Sequence, residues 1–312
     1  MNLLHFEYFL RVSELGSINR AATNLRLSQP ALSRHIASLE HEMGTLLFAR
    51  TQGGVNLTDA GKLLAQRIRP LLRQFTVLRE EVGEQAAGQL SIGTPSAWQV
   101  LFTAPFIETL AREHPGVRLR LHEGLSNVLR DYMSAGQLDI GIVPFSTAAM
   151  TGYSQTPILR EPLVLVGRKE DNLSPDRAIP LSSLQGKNLT LPARPNVLRT
   201  QIEHAMERQG LRLRLVVEAD TLATNLEMAR RGVASTVLPA SALFGEERSD
   251  SVSWTRLRGQ HVTWALWENE ARTHSQSVRE GRKIILSTLS AVLDQNSWWM
   301  AERLAGLTES PI

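Results

Sequence analysis

Between residues 28 and 34 the chain reads SQPALSR, in which Ser28, Gln29, Ser33 and Arg34 carry hydrogen-bonding side chains. Ser28 can cap a helix, with Pro30 in the first turn, where its missing N–H costs little. Leu32, Ile36, Leu39 and Met43 then recur at steps of four, three and four, the spacing of a buried helical stripe. With Leu32 as origin and about 100° per residue, Pro30 falls near 160°, Ser33 near 100°, Arg34 near 200° and Ala37 near 140°. The outward face is therefore slim, with one cation, and Gln29 projects from the helix start. Such a face fits a DNA major groove, where Gln, Ser and Arg bond base edges and a Pro or Ala carbon meets a thymine methyl. A helix that only faces water more usually carries Glu and Lys there.

A second set of residues, in which hydroxyls and amides recur, follows apolar stretches of strand type farther along the chain. These are Thr94, Ser96 and Ala97 in TPSAW, Ser126 and Asn127 in EGLSN, and Phe145 in VPFS; then Arg194, Asn196 and Val197 in LPARPN, and Thr221 in EADTL. Open α/β sheets bind ligands beyond the carboxyl ends of their strands, beside helix N-termini whose free N–H groups favour anions. Helix capping explains any one of these residues; five polar ends converging describe a cleft for a small molecule. Arg194 and Arg199 could supply charge for a carboxylate, which makes an organic acid the expected effector, although a solvated helix face also suits Arg199. Catalysis finds little support: HEMGT and HEGLS lack the second His of a zinc protease, there is no glycine-rich phosphate loop, and the eight histidines are scattered. The expectation is a protein that is not an enzyme and has no cofactor and no metal.

The elements that would hold these residues are legible from periodicity. Leu3, Phe6, Phe9, Leu10 and Val12 give a helical face stopped by Gly16; Ser17 can cap a second helix with Ala21, Ala22 and Leu25; the SQP helix is the third. Leu46, Leu47 and Phe48 read as a short strand, QGG as a turn and VNL as a second strand. From Thr58 to about residue 84, Leu64, Ile68, Leu71, Phe75, Leu78 and Val82 recur at alternating steps of four and three, a heptad seam suited to a second copy of the helix or to the chain's own body. Pro70 interrupts it and favours a kink. EQAAGQL reads as a hinge. Beyond it, strand and helix alternate in two consecutive arrays, which implies two α/β lobes, with VTWALWEN and the helix SQSVREGRKIILSTLSAVL returning to the first.

Charge is distributed unevenly. Of 34 Lys+Arg and 31 Asp+Glu, residues 1–79 hold ten cations and five anions, a net of +5; the remainder, with 24 cations and 26 anions, is −2. A basic head on a near-neutral body suits a polyanion. The chain has no cysteine, which excludes disulfides and thiolate metal sites and points to a reducing compartment. The first sixteen residues carry Glu7, Arg11 and Glu14 within their apolar pattern, unlike a signal peptide, and no apolar run approaches membrane-spanning length. A cytoplasmic location with no membrane partner is expected.

From Phe9 to Gly61, the run FLRVSELGSINRAATNLRLSQPALSRHIASLEHEMGTLLFART, continued by GVNLTDAG, resembles the winged helix-turn-helix of LysR-type transcriptional regulators. The later segment is similar to that family's effector-binding domain, which is like type 2 periplasmic binding proteins, and PNVLR and ADTLATNLEMARRGVASTVLPASA look closest to regulators of nitrogen or aromatic-acid metabolism. The resemblance implies an α+β and α/β multidomain protein with a winged helix-turn-helix over 1–58, a dimerising linker helix and hinge over 59–88, and two α/β lobes over 89–312. It implies DNA contacts from Ser28, Gln29, Pro30, Ser33 and Arg34, and effector-lining positions at Ser96, Ala97, Ser126, Asn196 and Val197. It further implies a tetramer built from two dimers on an imperfectly palindromic promoter, with RNA polymerase as a further partner. Family wings commonly place an Arg before the Gly-Val turn; this chain has Gln52 and Gly53 there, leaving Arg50 and Gln52 as the wing's candidates. The tail from Asn296, with Trp298 and Trp299, runs past the usual end and would pack on the body or on another subunit. The rival reading is a solute-binding or metabolic α/β protein whose N-terminal helices only oligomerise.

Overall fold

The structure is a computed structural model that describes residues 2–51, 54–82, 88–148, 150–244, 252–295, 298 and 300–308. Gln52, Gly53, Trp299 and most of the expected hinge lie outside the described residues, as does the side chain of Arg50. The chain divides into two compact units, one of residues 1–86 with 134–137, the other of 87–133 with 138–312.

The first unit opens with three helices, α1 (Leu3–Leu15), α2 (Ile18–Leu25) and α3 (Gln29–Met43). Their ends follow from local chemistry. Asn2, Ser17 and Ser28 accept from the backbone N–H groups of Leu4, Arg20 and Ala31, and Gly16 and Gly44 take the left-handed conformation that closes α1 and α3. Phe6, Phe9, Val12, Ala21, Ala22, Leu32, Ile36 and Leu39 form one core with Leu47, Phe48 and Val55. Two short strands follow, β1 (Phe48–Thr51) and β2 (Gly54–Leu57), paired antiparallel. The apolar run expected to be the first strand is thus displaced: Leu46 is 66% exposed and Leu47 precedes β1 as a core residue. The hairpin is tied to the α1–α2 turn by Val55 N–H donating to Gly16 O at 3.0 Å. Gly54, at φ +142°, permits that approach, since a Cβ there would lie 2.2 Å from the same carbonyl oxygen.

Helix α4 (Asp59–Val82) starts where the Thr58 hydroxyl accepts from Gly61 N–H and donates to Leu46 O, and it continues through Pro70 without interruption. The expected seam divides in two. Leu64 and Ile68, with Ala65, pack into the helical core of their own unit, whereas Leu71 and Phe75 are 54% and 41% exposed. The side chains of Leu78 and Val82 lie outside the described residues.

The second unit holds β3 (Gln89–Pro95), α5 (Ala104–Glu113), β4 (Arg118–Gly124), α6 (Ser126–Ser134), β5 (Ile140–Pro144) and the 16-residue β6 (Tyr153–Arg168). It continues with β7 (Asn188–Leu191), α7 (Val197–Glu207), β8 (Arg214–Glu218), α8 (Leu222–Arg230), β9 (Ser235–Pro239), the 18-residue β10 (Val252–Asn269) and α9 (Gln276–Asp294). A two-residue β11 (Glu302–Arg303) and a short α10 (Ala305–Thr308) follow. One mixed sheet runs in the order β4-β3-β5-β10-β6-β9-β7-β8, with β11 added to β6. Within it, β3, β4 and β5 are parallel in one lobe and β7, β8 and β9 in the other. The antiparallel pair β6 and β10 belongs to both: the end of β10 pairs with β5, and the end of β6 pairs with β9. PLVLVG, expected to be a strand of its own, is the second half of β6. The tail packs on its own chain: Trp298 is 3% exposed and Leu307 is also buried. No helix among the described residues is long and apolar enough to cross a membrane.

Candidate functional site

The outward side of α3 keeps Ser28, Gln29, Pro30, Arg34, Ala37 and Ser38 exposed, opposite the buried Leu32, Ile36 and Leu39. Ser28 is engaged as the cap, so its hydroxyl holds the helix start rather than projecting freely. The Gln29 amide donates to the Ser33 hydroxyl at 2.9 Å, which fixes the glutamine along the helix surface before any partner arrives. Arg34 makes no ion pair among the described residues and keeps its five donors available. Sequence reasoning missed Glu40. Its carboxylate accepts from Leu47 N–H at 2.8 Å and Phe48 N–H at 3.1 Å, joining the last turn of α3 to the start of the hairpin. A lone Glu on a helix gives no hint of this; the unpaired amides entering a short strand are the only cue.

In the second unit a cavity lies between the two lobes. One side is formed by Pro95, Ser96, Ala97, Gly124, Leu125, Ser126, Pro144 and Trp264, the other by Leu191, Pro192, Asn196, Leu198, Arg199, Ile202, Leu222, Asn225 and Val237–Pro239. The strand ends singled out above therefore do converge: Ser96, Ala97, Ser126 and Asn196 share the cavity. Thr221 lines a wider outer cleft with Ser96, Ala97, Glu123, Asp220, Glu227 and Arg230. Asn127, Phe145, Arg194 and Val197 do not line either space.

The polar groups divide into occupied and free. Asn196 caps α7 by accepting from Arg199 N–H at 3.1 Å, and Thr221 caps α8 by accepting from Thr224 N–H at 3.2 Å. Asn225 accepts from the Thr190 hydroxyl and donates to Ala219 O and Thr221 O. Arg199 lies on neither a solvated face nor a free one. Its guanidinium is ion-paired with Glu203 and Glu218 and donates to Pro192 O. Those two carboxylates hold its pKa above the usual arginine value against a desolvation that acts the other way. Arg194 is exposed and paired to Glu203 at 2.9 Å. The two arginines expected to attract a carboxylate are thus both committed to glutamates. Glu123 has its pKa raised by desolvation, partly offset by a hydrogen bond from the Ser96 hydroxyl. The Ser126 hydroxyl is sealed from solvent and has no hydrogen-bond partner among the described residues.

Glu161, on β6, is fully buried and hydrogen-bonded to Trp264, a cavity-lining residue. It accepts four hydrogen bonds: from Ser241 N–H at 2.7 Å, the Ser241 hydroxyl at 2.9 Å, Trp264 Nε1 at 2.6 Å and Trp298 Nε1 at 3.3 Å. Burial raises its pKa and the four donors lower it, burial being the larger effect. Trp98 closes the group, its ring 4.6 Å from that of Trp298 and 5.2 Å from that of Trp264.

Comparison with known proteins agrees with this geometry in both units. Residues 3–62 match the family described as bacterial regulatory helix-turn-helix protein, lysR family, and residues 83–286 match the LysR substrate binding domain. The nitrogen assimilation regulatory protein nac of Escherichia coli K12 is 32% identical over 305 residues, covering 96% of this chain and 99% of the relative. The nac protein of Klebsiella aerogenes is 34% identical over 246 residues, covering 78% and 79%. Among solved structures, a full-length OxyR variant from Pseudomonas aeruginosa has a TM-score of 0.68 at 22% identity, covering 93% of this chain and 94% of that one. The LysR family regulator CbnR in complex with its target DNA has a TM-score of 0.64 at 20% identity, covering 92% and 100%. A helix-turn-helix with a slim exposed helix, a long helix after it and a two-lobed ligand domain thus coincide in one chain with family matches to both parts, and the chain belongs to the LysR family of DNA-binding transcriptional regulators.

Proposed function

We propose that this regulator reads promoter DNA with α3 and changes its grip when a small molecule enters the cavity between the lobes. Gln29, Pro30, Ser33 and Arg34 are the base-reading residues, with Ser28 as cap and Arg50 and Gln52 as wing contacts to the backbone. Residues 1–58 act as the head, 59–88 as linker and hinge, and 89–312 as sensor. The exposed Leu71 and Phe75 pair α4 with a second copy, and two such dimers form the tetramer on an imperfect palindrome, where RNA polymerase is the downstream partner. The setting is the cytoplasm and the role is regulation without catalysis. The nac relatives make nitrogen metabolism the first place to seek target genes. In the sensor, Ser96, Ala97, Ser126 and Asn196 contact the effector. An organic acid would meet helix N-termini there but no unpaired cation among the residues lining the cavity.

The observation that carries the DNA reading is the exposed, slim face of α3, on which Arg34 has no ion pair among the described residues. The test is selection of bound genomic fragments by the full chain, followed by titration of cognate and scrambled duplexes over a range of salt. Affinity should fall steeply with salt, because several phosphates are neutralised. Arg34→Ala should cost about 1–3 kcal/mol of discrimination. Equal loss on both duplexes would assign Arg34 to phosphate, and salt-independent or absent binding would leave the oligomerisation reading in its place.

A further inference from the structure

We infer that the molecule held in the inter-lobe cavity is uncharged and mainly apolar, with one hydroxyl or carbonyl that hydrogen-bonds Ser126. The inference rests on reading that cavity as the effector site. Its walls are chiefly aliphatic, with the Trp264 indole on one side and Leu191, Leu198, Ile202 and Val237 on the other. A ligand gains there by leaving water, and its polar groups must each find a partner.

Few partners are left. Asn196 is spent on its cap and Asn225 on three hydrogen bonds. Ser96 sits by Glu123 at the cavity mouth and favours that carboxylate's charge, and Arg199 is neutralised by two glutamates. Ser126 remains: the residue is 8% exposed, and its hydroxyl has no hydrogen-bond partner among the described residues. Buried polar atoms are normally satisfied, so an orphan hydroxyl on a cavity-lining residue marks where a ligand atom completes it once the side chain turns toward the cavity. A hydroxyl can donate or accept, which suits a neutral group of either kind.

Charge argues in the same direction. Glu123, Asp220 and Glu227 line the outer cleft against Arg230 alone, and Arg230 is itself paired with Glu227. An anion would enter against that field. Arg130, one turn beyond Ser126 on α6, is turned elsewhere: it donates to Pro144 O and lies over the Trp267 ring at 5.0 Å. A cation would pass the acidic mouth but find no unpaired carboxylate among the cavity walls. The neutral molecule meets no opposing term.

Three probes of one shape separate the possibilities: benzyl alcohol, benzylamine and benzoate, titrated into the full-length protein by calorimetry and by ligand-observed NMR. Benzyl alcohol should bind at least tenfold more tightly than the other two. Ser126→Ala should weaken it roughly three- to tenfold, the scale of one neutral hydrogen bond. Ser126→Thr, which keeps the hydroxyl, should restore binding, and Leu198→Trp should block all three probes by filling the space. If benzoate or benzylamine binds most tightly and the advantage vanishes in Ser126→Ala, the uncharged class is overturned while the cavity stands as the site. If no probe binds, or binding ignores both Ser126→Ala and Leu198→Trp, the cavity itself is overturned as the effector site.

Discussion

At the scale of single residues, the exposed polar face of α3 was legible and the carboxylate that braces the helix against the hairpin was not. Arg34 stands out in sequence because its helical angle places it opposite Leu32 and Ile36, while Ser33 lies at the edge of that face and Gln29 projects from the helix start. Glu40 does not, because its partners are backbone amides seven and eight residues on, and no side-chain pattern announces an amide. Removing it leaves two N–H groups without their acceptor, and each such loss costs about 1–3 kcal/mol where water cannot replace the partner. Glu40→Ala should therefore lower the unfolding temperature of the head and weaken DNA binding with little change in sequence preference. Glu40→Gln, which retains one acceptor oxygen, should recover most of both. Anisotropy titrations on cognate and scrambled duplexes check this, and a selective loss on the cognate duplex would instead make Glu40 part of the reading face. Arg194 and Arg199 show the converse difficulty. A sequence displays charges but not their counter-ions, and here Glu203 pairs with both arginines and Glu218 with Arg199.

At the scale of elements, the heptad spacing of α4 was readable while its destination was ambiguous. Steps of three and four place residues on one face whatever covers that face. Leu64 and Ile68 go into the head's own core, whereas Leu71 and Phe75 stay exposed, so a partner helix has only the later stretch to cover. Phe75→Glu would put a charge in that contact without touching the head core. Sedimentation should then show loss of the dimer, with weakened binding to a palindrome and unchanged binding to a half-site. Ile68→Ala should behave differently: as a core truncation it costs about 2–5 kcal/mol of head stability. An unchanged dimer in Phe75→Glu would move the self-contact to another surface. The long strands β6 and β10 were read only in part, since their mixed stretches lack both the alternation of a one-sided strand and the continuous apolar run of a covered one.

At the scale of the whole sensor, the two lobes share β6 and β10, and the tail is fastened to that shared pair. Glu302 and Arg303 pair with Arg160 and Leu159 of β6, and Gly306 lies so close to Pro157 O that a Cβ would stand 2.4 Å from it. Trp298 brings the tail's indole to Glu161, where Ser241 from one lobe and Trp264 from the other also donate. The tail was legible as an extension with paired tryptophans, but only the fold reveals that one of them finishes a buried carboxyl's shell. Because burial raises the Glu161 pKa in the folded state, its contribution is fully present below the ordinary carboxylate range and is lost as pH rises through the raised value. Trp298→Phe keeps the ring and removes one of the donors that hold this pKa down. The pKa should rise further, and the folded protein should lose more stability than wild type does as pH rises above the ordinary carboxylate range. Glu161→Gln should abolish that pH-dependent component while costing about 1–3 kcal/mol throughout, since an amide NH2 must face donors that a carboxylate accepts. Thermal unfolding of the three proteins from the ordinary carboxylate range upward decides it. If Trp298→Phe shifts all pH values equally, the indole contributes packing alone, and the tail holds the crossover strands through β11 and its apolar contacts.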